Sequence, residues 1–570
     1  MCSILAAAAP VRAERRPIWP EGKIPDFQPH QIAAMTDEAD LPGFDPAAHA
    51  APYLEWFDPP PPEARNGSCA VLVSGGAYQN CCDVGHIQHW RERLTELGCV
   101  CVNLVYRTPR PQGLPIHQSA WEDGQRAIRI VRSEAAARGY DPEKIFTVSM
   151  SAGSHMCVVL ATSALTPAYE PVDEIDSVPC HLNAAVASAP AYALMDGPGT
   201  RNAREGDGDD IPLDPAFKFD AKTAPICFLH GGCDPYSPLG STRLYRKFRE
   251  LGVPAEVHVA PDQGHGVHGF ERGVEFLRQM GFLGPVGPEV PLLDRFADDS
   301  SRAVHEQFPV WPEGKMPDRQ ENQCEPYVEW HVPAKLTTRA VQVIWSGGAY
   351  DWNSPDDFEV APFRRYLNAK GMAVATVKYR VPRPAAPLAK YVTAWQDVQR
   401  ALRLVRSQAP AHGLDPEKIG IMGSSAGAHL ALVAATGARR QSYLPIDDLD
   451  TTVRCNVQWA ICIYPAYALT DGMEKTNSTG GNADTALPVP EFAFDPETPP
   501  MLFVHGDADG WAAMNSVKCW EKLRRMGIQG ELHTLAKRGH CFHREASPGT
   551  GSYTVVDRVW EFLNAKKLLD

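Results

Sequence analysis

The 570-residue sequence contains no apolar run near the roughly 18 residues that a membrane-spanning helix needs. It also has no excess of basic residues, because 55 lysines and arginines stand against 69 acidic residues, a formal net charge of −14. Nucleic-acid binding requires a basic surface that neutralises phosphates, so this balance argues against a nucleic-acid partner. We therefore expect neither a nucleic-acid nor a membrane partner, while the sequence carries no signal for the oligomeric state. A hydrophobic content of 44% and a charged content of 22% are typical of a soluble globular protein.

Cysteine pairs of the Cys-x-x-Cys type are also missing. The 15 cysteines are odd in number, and many lie inside apolar runs such as Cys99–Val102. This pattern predicts buried free thiols rather than a disulfide framework. The adjacent residues Cys81 and Cys82 admit a redox role, but packing is the favoured explanation.

The N-terminal segment has the apolar stretch and the small-residue end of a signal peptide but not its basic start. Residues 4–9 are apolar, and the segment ends in Val11-Arg12-Ala13. We expect residues 1–16 to be a truncated signal or a disordered tail. Free thiols and the incomplete signal favour the cytoplasm, whereas a truncated start would fit a secreted or periplasmic protein.

The chain repeats itself over most of its length. Several motifs return in the same order at nearly constant spacing: Trp19–Asp26 as Trp311–Asp318, Ser74–Tyr78 as Ser346–Tyr350, Tyr106-Arg107 as Tyr379-Arg380, and Asp141–Ile145 as Asp415–Ile419. A repeat of this length is a whole fold rather than a solenoid unit. The sequence predicts one domain over residues 17–283, a Pro/Gly-rich linker over 284–307 and a second domain over 308–570.

Each copy alternates short apolar runs with amphipathic helices. In the first copy the predicted strands are Ala70–Val73, Val100–Val105, Ile145–Ser149, Ala184–Ser188, Ile226–His230 and Ala255–Ala260, with a helix over Trp121–Ala137. This alternation predicts an α/β fold in which each domain is a doubly wound, mostly parallel sheet with helices on both faces. Ligands of such sheets bind at the carboxyl ends of the strands.

Two serines follow predicted strands in a pattern typical of a nucleophile. Gly423–Gly427 fits Gly-x-Ser-x-Gly, between a predicted strand over Lys418–Met422 and a predicted helix over His429–Ala435. Strand, sharp turn and helix expose the serine hydroxyl, which makes Ser425 the predicted nucleophile and Ser151 its counterpart. The first copy departs from the pattern at Ser149, where a glycine is expected.

A serine hydroxyl needs a base and an acid that orients the base, in the chain order Ser, Asp, His for this type of sheet. In the second copy Asp507 and Asp509 follow one strand, and His540 follows the next. Asp509 keeps the repeat spacing, whereas Asp507 aligns with Gly232. The predicted catalytic residues are therefore Ser151, Asp234 and His265 in the first copy, and Ser425, Asp509 and His540 in the second.

The transition state of acyl transfer also needs donors for its oxyanion. One donor is expected from the backbone N–H after the nucleophile, and two from the glycine-rich loop after the early strand. The predicted donors are the N–H groups of Gly76, Ala77 and Ala152 in the first copy, and of Gly348, Ala349 and Ala426 in the second.

A histidine pair in each copy has the spacing of metal ligands, His265 with His268 and His540 with His543. No third ligand or helix accompanies either pair. We therefore predict neither a metal nor another cofactor.

These motifs give the chain a resemblance to a known family. Both copies resemble the α/β-hydrolase superfamily, nearest to the BD-FAE-like or xylanase-B-like branch that includes bacterial acetylxylan and feruloyl esterases. The resemblance implies two tandem α/β-hydrolase domains that remove acetyl or feruloyl groups from plant polysaccharides or oligosaccharides. A small-molecule carboxylesterase, a peptidase-like hydrolase, and a non-catalytic first domain remain as alternatives.

Polar insertions over Asp196–Asp220 and Asp471–Asp495 are predicted to cap the pockets, and their different sequences predict that the two sites take different substrates. Four aromatic residues lie in predicted pocket loops, where they either stack on sugar rings or pack in the core: Tyr78, Tyr350, Trp352 and Trp511.

Overall fold

The computed structural model describes residues 14–82, 85–195, 211–266, 268–296, 304–470, 486–544 and 546–569. The chain divides into two compact units, Met1–Gly284 and Pro285–Asp570. No helix among the described residues has the length and apolarity needed to cross a membrane.

The described part of the first unit forms eight strands, in the spatial order β1-β2-β4-β3-β5-β6-β7-β8. The strands are β1 Glu14–Pro17, β2 Tyr53–Trp56, β3 Cys69–Val73, β4 Val100–Val105, β5 Ile145–Met150, β6 Ala184–Ser188, β7 Ile226–Gly231 and β8 Ala255–Ala260. The helices are α1 Thr36–Ala39, α2 Gly85–Glu96, α3 Gln118–Ser133, α4 Ala135–Arg138, α5 Ala152–Thr162, α6 Leu239–Glu250 and α7 Phe270–Gln279. Short 3₁₀ helices cover Pro46–His49, Pro62–Ala64 and Glu174–Ser177.

The second unit repeats this order as β9-β10-β12-β11-β13-β14-β15-β16. Its strands are β9 Val304–Pro309, β10 Tyr327–Val332, β11 Val341–Trp345, β12 Ala373–Lys378, β13 Ile419–Ser424, β14 Trp459–Ile463, β15 Met501–Gly506 and β16 Gly530–Leu535. The helices are α8 Ala361–Ala369, α9 Val392–Gln408, α10 Ala426–Thr436, α11 Asp448–Thr452, α12 Met514–Arg525 and α13 Val555–Ala565. The 3₁₀ helices are Leu292–Phe296, Gly348–Tyr350, Ala409–His412 and Phe542–Arg544.

Among the strands that the structure describes, six in each unit are parallel, and two antiparallel strands extend one edge. In the first unit β2 pairs antiparallel with both β1 and β4, whereas β3 and β5 pair in parallel. In the second unit β10 takes the place of β2. The central strands are buried along their whole length, as β3, β5 and β13 show, because a parallel sheet is covered on both faces. This is the predicted α/β-hydrolase arrangement.

The sequence-predicted ends of the domains differ from the structure. The predicted tail over 1–16 is wrong at its end, because residues 14–16 belong to β1. The predicted linker over 284–307 is also more ordered than expected: it contains the 3₁₀ helix Leu292–Phe296 and the start of β9. The edge strands β1 and β9 were not predicted, because a run of four to six residues with mixed polarity resembles a loop.

The repeated tryptophan and arginine motifs form a buried polar anchor in each unit. In the second unit Trp311 Nε1 donates to Asp397 Oδ1 over 2.7 Å, and Arg380 Nε donates to the same carboxylate over 2.9 and 3.0 Å. Both the arginine and the aspartate side chains are fully buried. In the first unit Trp19 and Asp123 make the same contact at 2.8 Å. The repeated motifs at the start of each domain are therefore structural.

Candidate active site

Each predicted nucleophile sits on a sharp turn between a strand and a helix. Ser151 lies between β5 and α5 with φ 55° and ψ −122°, and Ser425 lies between β13 and α10 with φ 55° and ψ −123°. This left-handed region costs about 1–3 kcal/mol for a residue other than glycine. The turn is held by the backbone N–H of each serine, which donates to Ser188 O and Ile463 O respectively, both over 2.9 Å.

Glycines allow the neighbouring chain to approach these turns. A Cβ on Gly153 would lie 2.3 Å from Ser74 O, and one on Gly427 would lie 2.4 Å from Ser346 O. A larger residue would push the nucleophile helix away from the loop that follows β3 or β11.

The structure brings the predicted serine, histidine and aspartate together in each unit. In the first unit His265 Nε2 lies 2.8 Å from Ser151 Oγ, and its Nδ1 lies 2.8 Å from Asp234 Oδ2. The second unit repeats this arrangement. There His540 Nε2 lies 2.8 Å from Ser425 Oγ, and Nδ1 lies 2.7 Å from Asp509 Oδ2.

Each aspartate is buried and contacts a second histidine. His230 Nε2 lies 3.2 Å from Asp234 Oδ2, and His505 Nε2 lies 3.2 Å from Asp509 Oδ2. Burial raises the pKa of each carboxyl, but the hydrogen bonds and charges of the two histidines outweigh burial and hold the pKa well below its usual range. The carboxylates therefore stay ionised and can orient the imidazole.

The predicted oxyanion donors lie beside each nucleophile. A Cβ on Gly75 would lie 2.7 Å from Ser151 Cβ, and one on Gly347 would lie 2.6 Å from Ser425 Cβ, which places the glycine loop against the serine. Within the described residues, none of the predicted donor N–H groups bonds to another protein group; they belong to Gly76, Ala77, Ala152, Gly348, Ala349 and Ala426. Unused N–H groups at this position can donate hydrogen bonds to an anionic oxygen.

The aromatic residues of the predicted pocket loops divide into two groups. Tyr78 and Tyr350 are buried, so of the two alternatives they follow core packing rather than stacking on a sugar. Trp511 is half-buried and packs on Tyr467, with ring centroids 4.7 Å apart. Trp352 is 47% exposed beside the glycine loop, where a Cβ on Gly348 would lie 2.8 Å from its Cδ2 atom.

Sequence reasoning missed a buried histidine four residues after each nucleophile. Tyr78 Oη lies 2.8 Å from His155 Nδ1, and Tyr350 Oη lies 2.7 Å from His429 Nδ1. On the opposite nitrogen each histidine contacts a carboxylate, Asp214 or Glu491. A histidine repeated in both copies inside an apolar helix was the available signal.

The histidines of the predicted metal-like pairs have other partners. His268 Nε2 lies 2.9 Å from Gly264 O, and buried His543 contacts Tyr464 Oη at 3.1 Å. Elsewhere among the described residues, donor atoms lie within 4.8 Å of one another in two buried groups: His117, His155 and Asp214, and Cys227, Glu256 and His258. In the first group both ring nitrogens of His155 already have protein partners, so a cation would have to displace one of them.

Cys81 and Cys82 are both free thiols in the structure. Cys81 is buried, and its Sγ lies 3.4 Å from Tyr106 O. Burial raises the pKa of this thiol to about 12, which keeps it protonated and unreactive.

The two candidate sites differ beside the predicted catalytic histidine, since the ring of Tyr464 lies 4.7 Å from that of His540. Tyr464 directly follows Ile463, whose carbonyl accepts from the N–H of Ser425. The Tyr464 hydroxyl donates to Glu359 Oε1 over 3.0 Å. The other oxygen of Glu359 accepts from Gly347 N over 2.6 Å. In the first unit the residue that matches Tyr464 is Ala189. Most of the two predicted capping insertions, residues 196–210 and 471–485, lies outside the described residues.

Comparison with known families agrees with this geometry. The BD-FAE family model matches residues 58–204 and 329–523, more than half of the chain. The chain belongs to the BD-FAE family. The family match covers both nucleophile turns and both glycine loops.

Individual relatives of this BD-FAE protein are esterases and xylan-related enzymes. Esterase LipQ of Mycobacterium tuberculosis is 26% identical over 234 residues, 38% of this chain and 53% of the relative. An acetylxylan esterase of Xylanibacter ruminicola is 33% identical over 107 residues, 18% of this chain and 20% of the relative. The chain thus matches about half the length of the first relative and a smaller part of the second.

Solved structures were also found to be similar. An acetyl ester-xyloside bifunctional hydrolase from Caldicellulosiruptor lactoaceticus is 21% identical, with a TM-score of 0.38, over 47% of this chain and 98% of that chain. Esterase 2 of Thermogutta terrifontis, phosphorylated by paraoxon, is 23% identical, with a TM-score of 0.36, over 46% of this chain and 95% of that chain.

Proposed function

We propose that this protein is a serine carboxylesterase with two active sites, one centred on Ser151 and one on Ser425. The observation that carries the proposal is the duplicated triad, in which both histidines lie 2.8 Å from a serine hydroxyl and contact a buried aspartate. The same geometry argues against a non-catalytic first domain. The esterase names of the relatives support the same reaction class.

In the proposed mechanism His265 or His540 accepts the serine proton at Nε2 while Oγ attacks the ester carbonyl. The carbonyl oxygen becomes an oxyanion, which the glycine-loop N–H groups and the N–H after the nucleophile stabilise. Collapse of the tetrahedral intermediate breaks the ester C–O bond, and the histidine returns its proton to the departing alcohol. Water, deprotonated by the same histidine, then hydrolyses the acyl-enzyme.

We propose an acetylated or feruloylated carbohydrate as the substrate class. The named acetylxylan esterase among the relatives supports it, and so does Trp352, an exposed indole beside the oxyanion loop of the second site. Its loop is fixed by Arg383, which donates to Asp351 over 2.8 and 2.6 Å and to Ala349 O over 2.9 Å. A fixed aromatic face can stack on a pyranose ring, and the first site has Asn80 at this position.

A burst-phase assay with p-nitrophenyl acetate tests the reaction and the number of sites. Ser151→Ala and Ser425→Ala should each retain part of the burst, and the double variant should show none. Ser407→Ala, an exposed serine on α9, is the matched control and should behave as the parent. Turnover by the double variant would disprove the assigned triads, and a burst lost with Ser425→Ala alone would leave the first site without catalysis.

The substrate class is tested at Trp352 in the Ser151→Ala protein. Trp352→Ala should raise the KM for acetylated xylo-oligosaccharides about five-fold, the effect of losing one stacking contact of about 1 kcal/mol. Ethyl acetate, which has no ring, should show an unchanged KM. An equal change for both substrates would contradict the sugar-stacking role.

A further inference from the structure

A second buried chain of polar side chains accompanies each triad. His155 and His429 have fully buried side chains, and each ring has a partner at both nitrogens. In the first unit Tyr78 Oη lies 2.8 Å from His155 Nδ1, and His155 Nε2 lies 3.0 Å from Asp214 Oδ2. In the second unit Tyr350 Oη lies 2.7 Å from His429 Nδ1, and His429 Nε2 lies 3.3 Å from Glu491 Oε1.

The direction of the hydrogen bonds follows from the carboxylate. Burial raises the pKa of Asp214 and of Glu491, but the hydrogen bond from the facing histidine opposes burial, and the net pKa is lowered. An ionised carboxylate only accepts, so the histidine Nε2–H donates to it. In a neutral ring Nδ1 then accepts. Burial raises the pKa of Tyr78 and Tyr350 well above the usual value, so each phenol keeps its proton and donates to Nδ1.

Each tyrosine belongs to the loop that presents the oxyanion donors. Ala77 and Tyr78 have φ 56° and 58°, and Ala349 and Tyr350 have φ 56° and 67°. For residues other than glycine this left-handed conformation costs about 1–2 kcal/mol each. Two such residues in succession favour relaxation of the loop, and the anchored phenol opposes that relaxation.

The two copies form this hydrogen-bonded series of side chains with different carboxylate residues. The carboxylate comes from the segment between β6 and β7 in the first unit and between β14 and β15 in the second. Asp214 in one copy and the longer Glu491 in the other both reach the histidine Nε2. Phe217 or Phe492 also packs on the histidine ring, at 5.2 and 5.1 Å between centroids. The interaction is retained although the side chain that supplies it differs.

We propose that His155 and His429 are positioning residues for ester hydrolysis: each holds the tyrosine, and through it the oxyanion loop, in its strained conformation. The inference rests on the proposed esterase function. These histidines touch no reacting atom. Fixed donors act most strongly on the charge that develops in the transition state, so loss of the chain lowers kcat and leaves KM nearly unchanged.

The test uses the full-length Ser151→Ala protein, in which only the second site reacts. Tyr350→Phe removes one oxygen from the chain and preserves the buried ring. We expect kcat for p-nitrophenyl acetate to fall about ten-fold, less than the loss of a whole oxyanion donor, with KM within about two-fold. The Ki of a trifluoromethyl ketone, which forms a tetrahedral adduct with the serine, should rise by about the factor by which kcat falls. Tyr78→Phe in the Ser425→Ala protein should behave in the same way.

Two comparisons separate positioning from general loss of structure. Tyr443→Phe removes another buried phenol of the second unit, which donates to Asp450 over 2.5 Å away from the loop, and should leave kcat and Ki unchanged. Glu491→Gln keeps an oxygen that accepts from His429 and should retain most of kcat, whereas Glu491→Leu should repeat the loss.

The outcomes distinguish the two proposals. If Ser151→Ala itself shows no burst, the esterase function of the second site is wrong. If it shows a burst and Tyr350→Phe changes neither kcat nor Ki, the positioning role is overturned. A fall in kcat without a rise in Ki, or an equal fall for Tyr443→Phe, would also overturn it.

Discussion

Ser149 Oγ and Ser154 Oγ lie 3.1 Å apart beneath the first nucleophile, where the second unit has Gly423 and Ala428. Ser149 Oγ also lies 3.1 Å from Val186 O, and Ser154 Oγ donates to Ser188 O over 2.8 Å. Both extra hydroxyls of the first copy are thus hydrogen-bonded within the turn. The departure from Gly-x-Ser-x-Gly leaves the nucleophile at the same φ of 55° in both units.

The same substitution should not be tolerated in the second unit. A Cβ on Gly423 would lie 2.1 Å from Gly427 O, a backbone atom that cannot move aside. In the Ser151→Ala protein we expect Gly423→Ser to lower kcat for p-nitrophenyl acetate at least ten-fold. Ser149→Gly in the Ser425→Ala protein should have a much smaller effect on kcat and cost about 1 kcal/mol of stability, as glycine in a strand does. Equal effects of the two changes on kcat would contradict this account.

Ionised Asp509 should stabilise the fold, and this stabilisation should be lost at acid pH. Its pKa is lowered because hydrogen bonds from His505 and His540 outweigh burial, so its stabilising effect is present above the unfolded pKa of about 4 and is lost as pH falls further. The free energy of unfolding of Asp509→Asn should therefore lie about 1–3 kcal/mol below the parent at pH 6, and the gap should narrow toward pH 3. Urea denaturation at both pH values measures it.

Asp507, two residues before Asp509, is the matched control for the catalytic role of Asp509. Asp509→Asn should lower the kcat of the second site by about 10³–10⁴, because an asparagine orients the wrong histidine tautomer. Asp507→Asn should keep kcat within about two-fold of the parent, since in the triad the histidine contacts Asp509. A large loss for Asp507→Asn would reverse the assignment of the acid.

A carboxyl near the second site should have the opposite pH dependence. Burial and the nearby charge of Glu359 raise the pKa of Asp357 to about 7. Its stabilising contribution is present below the unfolded pKa of about 4 and is lost as pH rises through 7. Asp357→Asn cannot ionise, so its stability relative to the parent should increase by on the order of 1–2 kcal/mol between pH 5 and pH 8. A relative stability that does not change with pH would contradict the raised pKa.

The buried arginine of the second unit should be essential for stability. Arg380→Met leaves the fully buried Asp397 without its ionic partner, and breaking such a pair costs about 3–5 kcal/mol. Arg383→Met breaks a pair that is 39% and 49% exposed and should cost less than about 1 kcal/mol. Thermal unfolding of both variants gives the comparison. A small loss for Arg380→Met would mean that the repeated Tyr-Arg motif does not stabilise the fold.

The sequence allowed the central sheet and the triads to be predicted because both leave local signals. Val100–Val105 and Ala184–Ser188 match β4 and β6 residue for residue, since fully buried strands are continuous apolar runs. The repeat spacing chose Asp509 over Asp507, and the geometry places Asp509 on His540.

The antiparallel edge strands and the buried histidines could not be predicted in the same way. Strand β10 has the sequence Tyr-Val-Glu-Trp-His-Val, with half-buried polar positions that resemble a loop. The partners of His155 are 77 and 59 residues away in the sequence, so only the folded chain shows the contact. Asp214 and Glu491 also lie in segments of different sequence, which hides their equivalence.

The left-handed nucleophile turns have a consequence for the history of the two copies. A serine held at φ 55° lowers stability, and the chain carries that cost at both Ser151 and Ser425. Selection for stability would relax such a turn as soon as its copy stopped reacting with substrate, because glycine fits the same conformation without strain. The same unfavourable backbone angle at both positions fits the proposal that both copies react with substrate.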